Sequence, residues 1–259
     1  KEGFVFVAER HQKILHMLEE EGKVLVTALS DHFSVSRDLI RKDLALLESE
    51  GLLKRVYGGA IPIKSSSPAK KWKRASANPN PVWFRIAEKA ADLIRNGETI
   101  FLDISPICLK IATRLKQENR RITVVTNSID ILSELNEDSR IKLIFLGGKL
   151  NPARDGFTGA LTIEWMSRYE FDHAFIEGEG IDLKLQMVTS DDIDDALTKT
   201  SAIKSSRHSI LLVDAAQLKR HGNCRSAALE DFNSIIIDKS IEEAAMKVIS
   251  NKINQVILA

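Results

Sequence analysis

Two short helical patterns of apolar and polar residues occupy the start of the chain. Over residues 9–22, apolar side chains recur at helical spacing, and Gly22 is expected to end the helix. A second pattern covers residues 26–33, with Thr27 as the expected N-cap. The apolar face of the first helix consists of Ile14, Leu15 and Leu18. The sequence therefore predicts two amphipathic helices at this end of the chain.

A third helix is expected to follow a tight break at residues 34–36. Ser36 is suited to cap its N-terminus, and Gly51 is expected to end it. Its core-facing residues, spaced four and three positions apart, are Ile40, Leu44 and Leu47. Two short strands around a turn at Gly58-Gly59 come next. Three helices followed by a hairpin predict a winged helix-turn-helix domain.

From about residue 84 onward, short apolar runs alternate with helical stretches. Several runs are apolar almost throughout, which is typical of strands covered on both faces of a sheet. The predicted strands cover residues 99–103, 122–126, 142–146, 173–176, 209–214, 234–238 and 255–258. The predicted helices cover residues 107–117, 128–135, 160–168, 192–204 and 241–251. This alternation predicts an α/β domain with a mainly parallel, doubly wound sheet.

A segment rich in proline, serine and lysine separates the two patterns. It contains four prolines and no acidic residue, which is typical of an interdomain linker. The predicted organisation is a winged helix-turn-helix at 1–61, the linker at 62–83 and the α/β domain at 84–259. The formal net charge is only +1, yet residues 36–85 carry eleven basic and four acidic side chains. Such a basic block favours binding to phosphate, although a basic linker without a partner would give the same charges.

Length and composition narrow the class of protein further. With 259 residues and 44% apolar side chains, the chain is long and apolar enough for a small and a medium domain. No apolar run approaches the roughly 18–20 residues that span a bilayer. The two cysteines form no CxxC pair and the histidines show no metal-binding spacing. We therefore expect a cytoplasmic protein without disulfides, bound metal or another cofactor.

The third helix carries its charged residues on the side opposite its apolar face. They lie near its N-terminal end, the part of a recognition helix that enters the major groove of DNA. Arginine can bind guanine O6 and N7 through two hydrogen bonds, whereas Asp38 and Lys42 are spaced to form an ion pair. The predicted DNA-binding residues of the helix and the hairpin are Ser36, Arg37, Asp38, Arg41, Lys42, Lys54, Arg55 and Tyr57. The alternative is an ordinary amphipathic helix whose charged side is solvated.

Four motifs within residues 9–61 resemble the N-terminal domain of the DeoR family of bacterial regulators. They are ERHQKIL, the S-x-x-x-I-R-K-D-L run from Ser36 to Leu44, LLESEGLL and RVYGGAI, although the family usually has Thr where this chain has Leu39. The resemblance continues through VVTNS, FLGGKL, FDHAFIEGEGID and ILLVDAAQL, so it covers nearly the whole chain. It implies a domain that binds an operator and a second domain, similar to sugar-phosphate isomerases, that senses phosphorylated sugars or related metabolites.

A ligand is expected at the strand ends of the second domain, because open parallel sheets bind ligands beyond the carboxyl ends of their strands. Helix N-termini at this edge offer free backbone N–H groups, and glycines allow the backbone to approach a ligand. The predicted effector-binding residues are Asp103, Ser105, Thr126, Asn127, Ser128, Gly147, Gly148, Gly178 and Gly180, and the resemblance adds Lys199. Each strand-end residue is also suited to a helix cap or a turn, and Lys199 to an exposed helix surface.

Three loops depart from the family pattern in ways that disfavour a phosphate. The loop at 103–107 lacks the family's glycine and paired hydroxyls, and residues 177–180 are Glu-Gly-Glu-Gly where the family has Gly-x-Asp-Gly. Ala216-Gln217 replaces the family's Ser-Lys. Each change removes a hydrogen-bond donor or adds a negative charge, and a charged hydrogen bond contributes about 1.5–3 kcal/mol. We therefore expect a less anionic effector, or a weakened or absent response.

These patterns together predict a DNA-binding transcription regulator that represses a sugar or related metabolic operon. It is expected to act as a homodimer or higher oligomer, since paired recognition helices bind half-sites about one DNA turn apart. Two alternatives stay open. One is a sugar-phosphate isomerase-like enzyme that carries a DNA-binding module, although the sequence shows no convincing nucleophile and base. The other is a regulator that has lost its sensing function.

Overall fold

The computed structural model describes residues 10, 11, 13–15, 17, 18, 22–49, 52–61, 80–153 and 155–259. The chain forms two compact units, Lys1–Asn78 and Pro79–Ala259, and each is described by itself. Among the described helices, none combines the length and the apolar character needed to cross a bilayer.

The N-terminal unit combines helices with a small antiparallel sheet. Its described residues between 10 and 18 are helical and are named α1. The elements that follow are β1 (Val24–Leu25), α2 (Val26–Phe33), α3 (Arg37–Ser49), β2 (Lys54–Val56) and β3 (Gly59–Ile61). Strand β3 lies between β1 and β2, so the sheet connects the hairpin to the start of α2. The unit therefore has the predicted winged helix-turn-helix arrangement.

One apolar core holds the N-terminal unit together. Its buried side chains include Ile14, Leu18, Leu29, Ile40, Leu44, Leu47 and Leu53. The predicted core face of α3 is confirmed, because its three apolar residues are each no more than 1% exposed. Burial of such side chains contributes roughly 1.5–3 kcal/mol each, so α3 is anchored by one face.

The start of α3 agrees with the sequence prediction, whereas the start of α2 does not. The hydroxyl of Ser36 accepts a hydrogen bond from the backbone N–H of Leu39 at 3.2 Å, as an N-cap should. In α2 the N-cap is Leu25, which has no capping side chain, and Thr27 lies inside the helix. The Thr27 prediction is wrong because Leu25 pairs with β3, so the extended chain of β1 leads directly into α2.

Glycines determine where α1 ends and where the hairpin turns. Gly22 has a φ of 70°, and its N–H bonds the carbonyl four residues earlier at 3.1 Å, so it ends α1 as predicted. The hairpin turn is at Tyr57-Gly58, one residue before the predicted position, because Gly59 already belongs to β3. Gly51, the predicted end of α3, lies outside the described residues.

The C-terminal unit is built around a seven-stranded sheet. Its strands, together with those of two small antiparallel sheets, are β4 (Thr99–Leu102), β5 (Thr123–Thr126), β6 (Lys142–Phe145), β7 (Lys149–Leu150), β8 (Phe157–Thr158), β9 (Phe171–Glu177), β10 (Gly180–Asp182), β11 (Met187–Ser190), β12 (Ser206–Val213), β13 (Cys224–Ala228), β14 (Ser234–Ile237) and β15 (Gln255–Leu258). The main sheet has the order β15-β14-β12-β9-β4-β5-β6, and its neighbouring strands are parallel. All seven predicted strands lie in this sheet.

Helices cover both faces of the main sheet. They are α4 (Pro81–Ala91), α5 (Pro106–Gln117), α6 (Ile129–Leu135), α7 (Ala160–Met166), α8 (Ile193–Lys204) and α9 (Glu243–Ser250), with 3-10 turns at Ala215–Lys219 and Leu229–Asp231. Side chains alternate along each strand, so Ile100 and Leu102 join one apolar core while Phe101 joins another. Burial on both faces explains the nearly continuous apolar runs and confirms the doubly wound α/β class.

Helix α4 begins inside the segment that the sequence assigned to the linker. Asn80 caps it by accepting a hydrogen bond from the N–H of Val82 at 3.0 Å, and Pro81 occupies the first helical position. The end of the linker prediction is therefore wrong for residues 80–83. Pro81 opens a helix here, because its missing N–H and fixed φ suit this position. The rest of that segment, residues 62–79, lies outside the described residues.

Candidate functional site

The N-terminal half of α3 exposes the side chains that were predicted to contact DNA. The exposed residues are Ser36, Arg37, Asp38, Arg41 and Lys42. On the opposite side of the helix Ile40 is fully buried, so the charged face is held outward by the core. A helix anchored by apolar residues, with arginines on its open side, is the arrangement of a recognition helix.

An ion pair on this face differs from the predicted one. Nη1 of Arg41 lies 2.7 Å from Oδ1 of Asp38, so Asp38 pairs with Arg41 and not with Lys42 as predicted. Residues three apart also share a helix face, and the long guanidinium side chain reaches back along it. Both groups are largely exposed, and such surface pairs contribute about 0–1 kcal/mol. The pair therefore costs little to break.

The side chain of Glu48 joins α3 to the wing, which is the hairpin formed by β2 and β3. Glu48 near the end of α3 accepts hydrogen bonds from the backbone N–H of Arg55 at 2.8 Å and from its Nε at 2.7 Å. This pairing occupies one of the three predicted wing residues. Lys54 and Tyr57 are exposed, and Tyr57 stands beside the turn glycine at the wing tip. On the wing, Lys54 and Tyr57 therefore face solvent, whereas Arg55 holds the wing against α3.

A buried ionic cluster fixes α3 against α1, and the sequence analysis missed it. Oδ2 and Oδ1 of Asp43 accept hydrogen bonds from Nε and Nη2 of Arg10 at 2.7 and 3.1 Å, and Nε2 of His11 lies 2.9 Å from Oδ1. Burial alone would raise the pKa of Asp43, but the bonds from Arg10 and His11 outweigh it and lower that pKa. The only sequence signal was an acidic residue on the core side of α3.

The predicted effector residues lie at the carboxyl edge of the main sheet. Asp103 follows β4 and Asn127 follows β5, and the preceding residues Leu102 and Thr126 pair across the two strands. The backbone N–H of Asp103 donates to the carbonyl of Phe175 in β9 at 3.2 Å. The sheet therefore brings the ends of three strands together, as expected for a parallel arrangement.

Three of the predicted hydroxyl groups have structural partners. The hydroxyl of Thr126 donates to the carbonyl of Leu102 at 2.7 Å and accepts from the N–H of Ser128 at 3.1 Å. Ser105 caps α5 through the N–H of Cys108 at 2.9 Å, and Ser128 caps α6. These bonds shape the loops at the strand ends, and contact of these residues with an effector stays a prediction.

Among the predicted glycines, two are required by contacts within the protein. A Cβ on Gly148 would lie 2.1 Å from the hydroxyl oxygen of Thr162, and one on Gly180 would lie 2.4 Å from the carbonyl oxygen of Arg220. Gly178 packs less tightly, and a Cβ on Gly147 would meet nothing within 4 Å. Among these four glycines, only Gly147 thus leaves space on its Cβ side for an approaching group.

Lys199 is buried at this edge, so it is not the exposed helix lysine that the sequence left as the alternative. Its side chain is 3% exposed, and Nζ lies 2.5 Å from Oδ2 of Asp195 and 3.4 Å from Oδ2 of Asp103. Burial alone would lower the pKa of Lys199, but the carboxylates of Asp103, Asp195 and Glu179 raise it well above its usual value. Lys199 therefore carries a positive charge.

Two departures from the family pattern contact each other. Nε2 of Gln217 donates a hydrogen bond to Oε1 of Glu177 at 2.7 Å. Gln217 and Asp214 also form a capping box at the 3-10 turn Ala215–Lys219. Oδ2 of Asp214 accepts a further hydrogen bond from Nε1 of Trp83 at 2.8 Å. Burial raises the pKa of Glu177 to about 7, against the opposing effects of Ser105 and Gln217. Glu177 and Gln217, forty positions apart in the sequence, thus form one hydrogen-bonded pair.

The edge also contains buried acceptor atoms without a donor. Among the described residues, Oδ1 of Asp103, Oδ1 of Asn127 and Oε2 of Glu177 are buried and have no hydrogen-bond partner. Burial raises the pKa of Asp103 to about 7, although Lys199 opposes the rise. Buried polar atoms are normally satisfied, so these three oxygens are exceptions gathered at one edge of the sheet. Within the described residues, no group of His, Cys, Asp and Glu is arranged to hold a metal ion.

Comparison with known proteins identifies both domains. Residues 10–66 match the model of the DeoR-like helix-turn-helix domain, and residues 84–239 match that of the DeoR C terminal sensor domain. The glycerol-3-phosphate regulon repressor of Escherichia coli (strain K12) is 29% identical over 243 residues, covering 94% of this chain and 95% of that protein. The uncharacterized HTH-type transcriptional regulator YulB of Bacillus subtilis (strain 168) is 30% identical over 248 residues, covering 96% and 95%.

The chain is also similar to a repressor from Lactococcus lactis and to a solved isomerase structure. The lactose phosphotransferase system repressor of Lactococcus lactis subsp. lactis is 29% identical over 235 residues, covering 90% of this chain and 91% of that protein. Ribose 5-phosphate isomerase A of Methanocaldococcus jannaschii shares 14% identity over 52% of each chain, with a TM-score of 0.38. Since the sensor-domain model alone matches more than half of the chain, this protein belongs to the DeoR family and is a DNA-binding transcription regulator.

Proposed function

We propose that this regulator represses an operon for a sugar or a related metabolite and releases its operator when a small molecule binds the sensor domain. Two relatives are named as repressors of glycerol-3-phosphate and lactose systems, which supports the class of target. The observation that carries the DNA-binding role is α3, whose buried apolar face leaves Arg37 and Arg41 exposed. Such a protein works in the cytoplasm, where the operator is.

The exposed residues have different proposed roles at the operator. Arg37 and Arg41 are one turn apart, and each can bind a guanine through two hydrogen bonds in the major groove. Lys42 and Lys54 bind phosphates, which holds the helix in register without reading sequence. The remaining contacts come from Ser36, Asp38, Arg55 and Tyr57, with Arg55 acting by holding the wing in place.

The effector site proposed for the sensor domain is the carboxyl edge of the main sheet. Lys199 and Asp103 lie at its centre, and the other members are Ser105, Thr126, Asn127, Ser128, Gly147, Gly148, Gly178 and Gly180. Its function is regulatory and not catalytic. Among the described hydroxyls at this edge, Ser105 and Ser128 act as helix caps, and burial raises the pKa of the nearby Cys108 thiol well above its usual value. These groups therefore supply no activated nucleophile.

The DNA-binding role is tested with two single substitutions and a control. The operator is first identified by sequencing genomic fragments that the purified chain retains. We expect Arg41→Ala to weaken operator binding by about 1–3 kcal/mol and to relax the preference at one base pair. Lys54→Ala should weaken binding evenly across sequences and reduce the slope of log K against log salt by about 0.9.

Gel shifts over a salt series measure both effects, and Lys247→Ala, an exposed lysine on α9 of the sensor domain, is the matched control. Unchanged affinity and specificity of the Arg41→Ala protein would show that α3 does not read the operator. Loss of binding in the Lys247→Ala protein would contradict the assignment of DNA contact to the N-terminal unit.

A further inference from the structure

The carboxyl edge of the sensor sheet carries more negative than positive charge. Lys199 acts electrostatically on four carboxyl groups, which are those of Asp103, Glu177, Glu179 and Asp195. Two of them, Asp103 and Asp195, lie within 3.4 Å of its Nζ and neutralise it. A phosphate entering here would meet Glu177 where the family pattern has glycine, near a lysine that is already paired, in a region of low dielectric.

A cationic group also meets a penalty if it lies beside Lys199. Lys199 is buried and charged, so a second ammonium group placed beside it would be repelled. An ammonium group is therefore disfavoured directly beside Nζ of Lys199, although the surrounding carboxyl groups attract cations. A neutral ligand avoids both penalties.

At this edge, the buried polar atoms of the described residues that lack a partner are carboxyl or amide oxygens. Oδ1 of Asp103, Oδ1 of Asn127 and Oε2 of Glu177 are buried without hydrogen-bond donors, and each belongs to a side chain at least nine-tenths buried. Asp103 and Asn127 follow paired positions on neighbouring strands, and Glu177 ends the strand on the other side of β4. Groups with N–H or O–H bonds satisfy such oxygens, and a neutral molecule with several hydroxyls offers more than one of them.

We propose that the effector of this regulator is an uncharged polyol or an unphosphorylated sugar, whose hydroxyls donate to Asp103, Asn127 and Glu177. This inference rests on the proposed function of the sensor edge. The Glu177–Gln217 pair is the specificity determinant, because it places a carboxylate and a neutral amide together at the edge. Both residues are departures from the family pattern, and their contact explains why they occur together.

Calorimetry with the full-length chain tests the ligand class through matched pairs. The neutral probes are glycerol, D-glucitol, D-galactitol and D-fructose, and the charged probes are their monophosphate esters and inorganic phosphate. We expect at least one neutral member to bind roughly tenfold or more tightly than its own ester, because a like charge placed at this edge is repelled. Tighter binding of an ester, or no binding of any neutral probe at millimolar concentrations, would overturn the proposal.

A substitution separates the role of Glu177 from simple loss of structure. Glu177→Gln keeps an acceptor for Gln217 but removes the charge that Glu177 carries above its pKa of about 7, so at a pH of about 8 the preference for the neutral member should fall by roughly tenfold. Glu230→Gln, an exposed carboxylate that pairs with Lys252, is the control and should leave the preference unchanged. An equal preference in the Glu177→Gln and unaltered proteins would refute the specificity role of this pair.

Gel shifts with the same probes keep the two proposals distinguishable. Release of the operator by a neutral polyol supports both proposals. Release by a phosphate ester alone refutes the inference and leaves the proposed repressor intact. A chain that binds none of its genomic fragments refutes the proposed function, whatever the calorimetry shows.

Discussion

Two aspartates on α3 have opposite environments although they are only five residues apart. Asp38 is largely exposed and pairs with Arg41 at the surface. Asp43 is 5% exposed and pairs with Arg10 and His11 inside the N-terminal unit. The first pair is weak because water competes for both charges, whereas loss of one partner from a buried pair leaves the other charge uncompensated. The role of each carboxylate is thus decided by its surroundings.

At this scale we predict that Asp43→Ala destabilises the N-terminal unit by about 3–5 kcal/mol, because it removes a buried carboxylate that accepts hydrogen bonds from Arg10 and contacts His11. Asp38→Ala is the control on the same helix and should cost about 0–1 kcal/mol. Hydrogen exchange measured by mass spectrometry on peptides of α3 reports the local opening free energy. Similar exchange in both variants would show that the buried cluster contributes no more than the surface pair.

The same cluster predicts a response to acid. The pKa of Asp43 is lower in the folded state than its ordinary value of 3.8. Its contribution is therefore complete above that value and is lost as the pH falls toward the folded-state pKa. In the unaltered protein, exchange of α3 should accelerate on this acid side, after correction for the intrinsic exchange rate, and the Asp43→Ala protein should lack this component.

Among the elements, the wing depends on a close approach between two strands. Gly59 in β3 pairs with Leu25 of β1, and a Cβ on Gly59 would lie 2.0 Å from the carbonyl oxygen of Val24. Gly58 at the adjacent turn has a φ of 78° and open space on its Cβ side. One glycine is thus needed for strand packing and its neighbour for backbone conformation.

We predict that Gly59→Ala destabilises the N-terminal unit by roughly 1–3 kcal/mol or more, since backbone atoms cannot move aside as a side chain would. Gly58→Asn should cost far less, because asparagine tolerates the left-handed conformation and meets no neighbour. Thermal unfolding and the gel shift with the operator measure both variants. A Gly59→Ala protein with full stability and operator affinity would contradict the close packing of β1 on β3.

For the molecule as a whole, charge is distributed unevenly along the chain. Residues 36–85 are strongly basic, whereas the sensor edge is acidic around Lys199. DNA and effector are therefore expected to bind different units, and neither competes directly for the other's contacts. Each chain has one α3, whereas an operator of two half-sites needs two recognition helices.

We therefore predict a homo-oligomer with at least twice the 28.9 kDa mass of one chain. Sedimentation equilibrium measures this mass, and footprinting should show two related half-sites about 10–10.5 base pairs apart or at a multiple of that spacing. A monomer that binds a single half-site with full affinity would exclude this arrangement.

Local patterns alone were sufficient for much of the fold. The apolar face of α3 and all seven strands of the main sheet were predicted, because the spacing of apolar residues states which side of an element is buried. The predictions failed where a neighbour far along the chain intervenes. Thr27 is not a cap because Leu25 pairs with β3, and the turn moved because Gly59 packs on β1.

By itself, the sequence determined the two fold classes, the charged face of α3 and the carboxyl edge at which polar residues gather. Only the tertiary structure decided which groups meet there: Lys199 with Asp103, and Gln217 with Glu177. The physical reason is that the periodicity of apolar residues specifies which side chains are buried, but not which other groups those side chains contact. Partners depend on strand order, which brings β4, β9 and β12 together from distant parts of the chain. The charge balance of the sensor edge is therefore a property of the folded sheet.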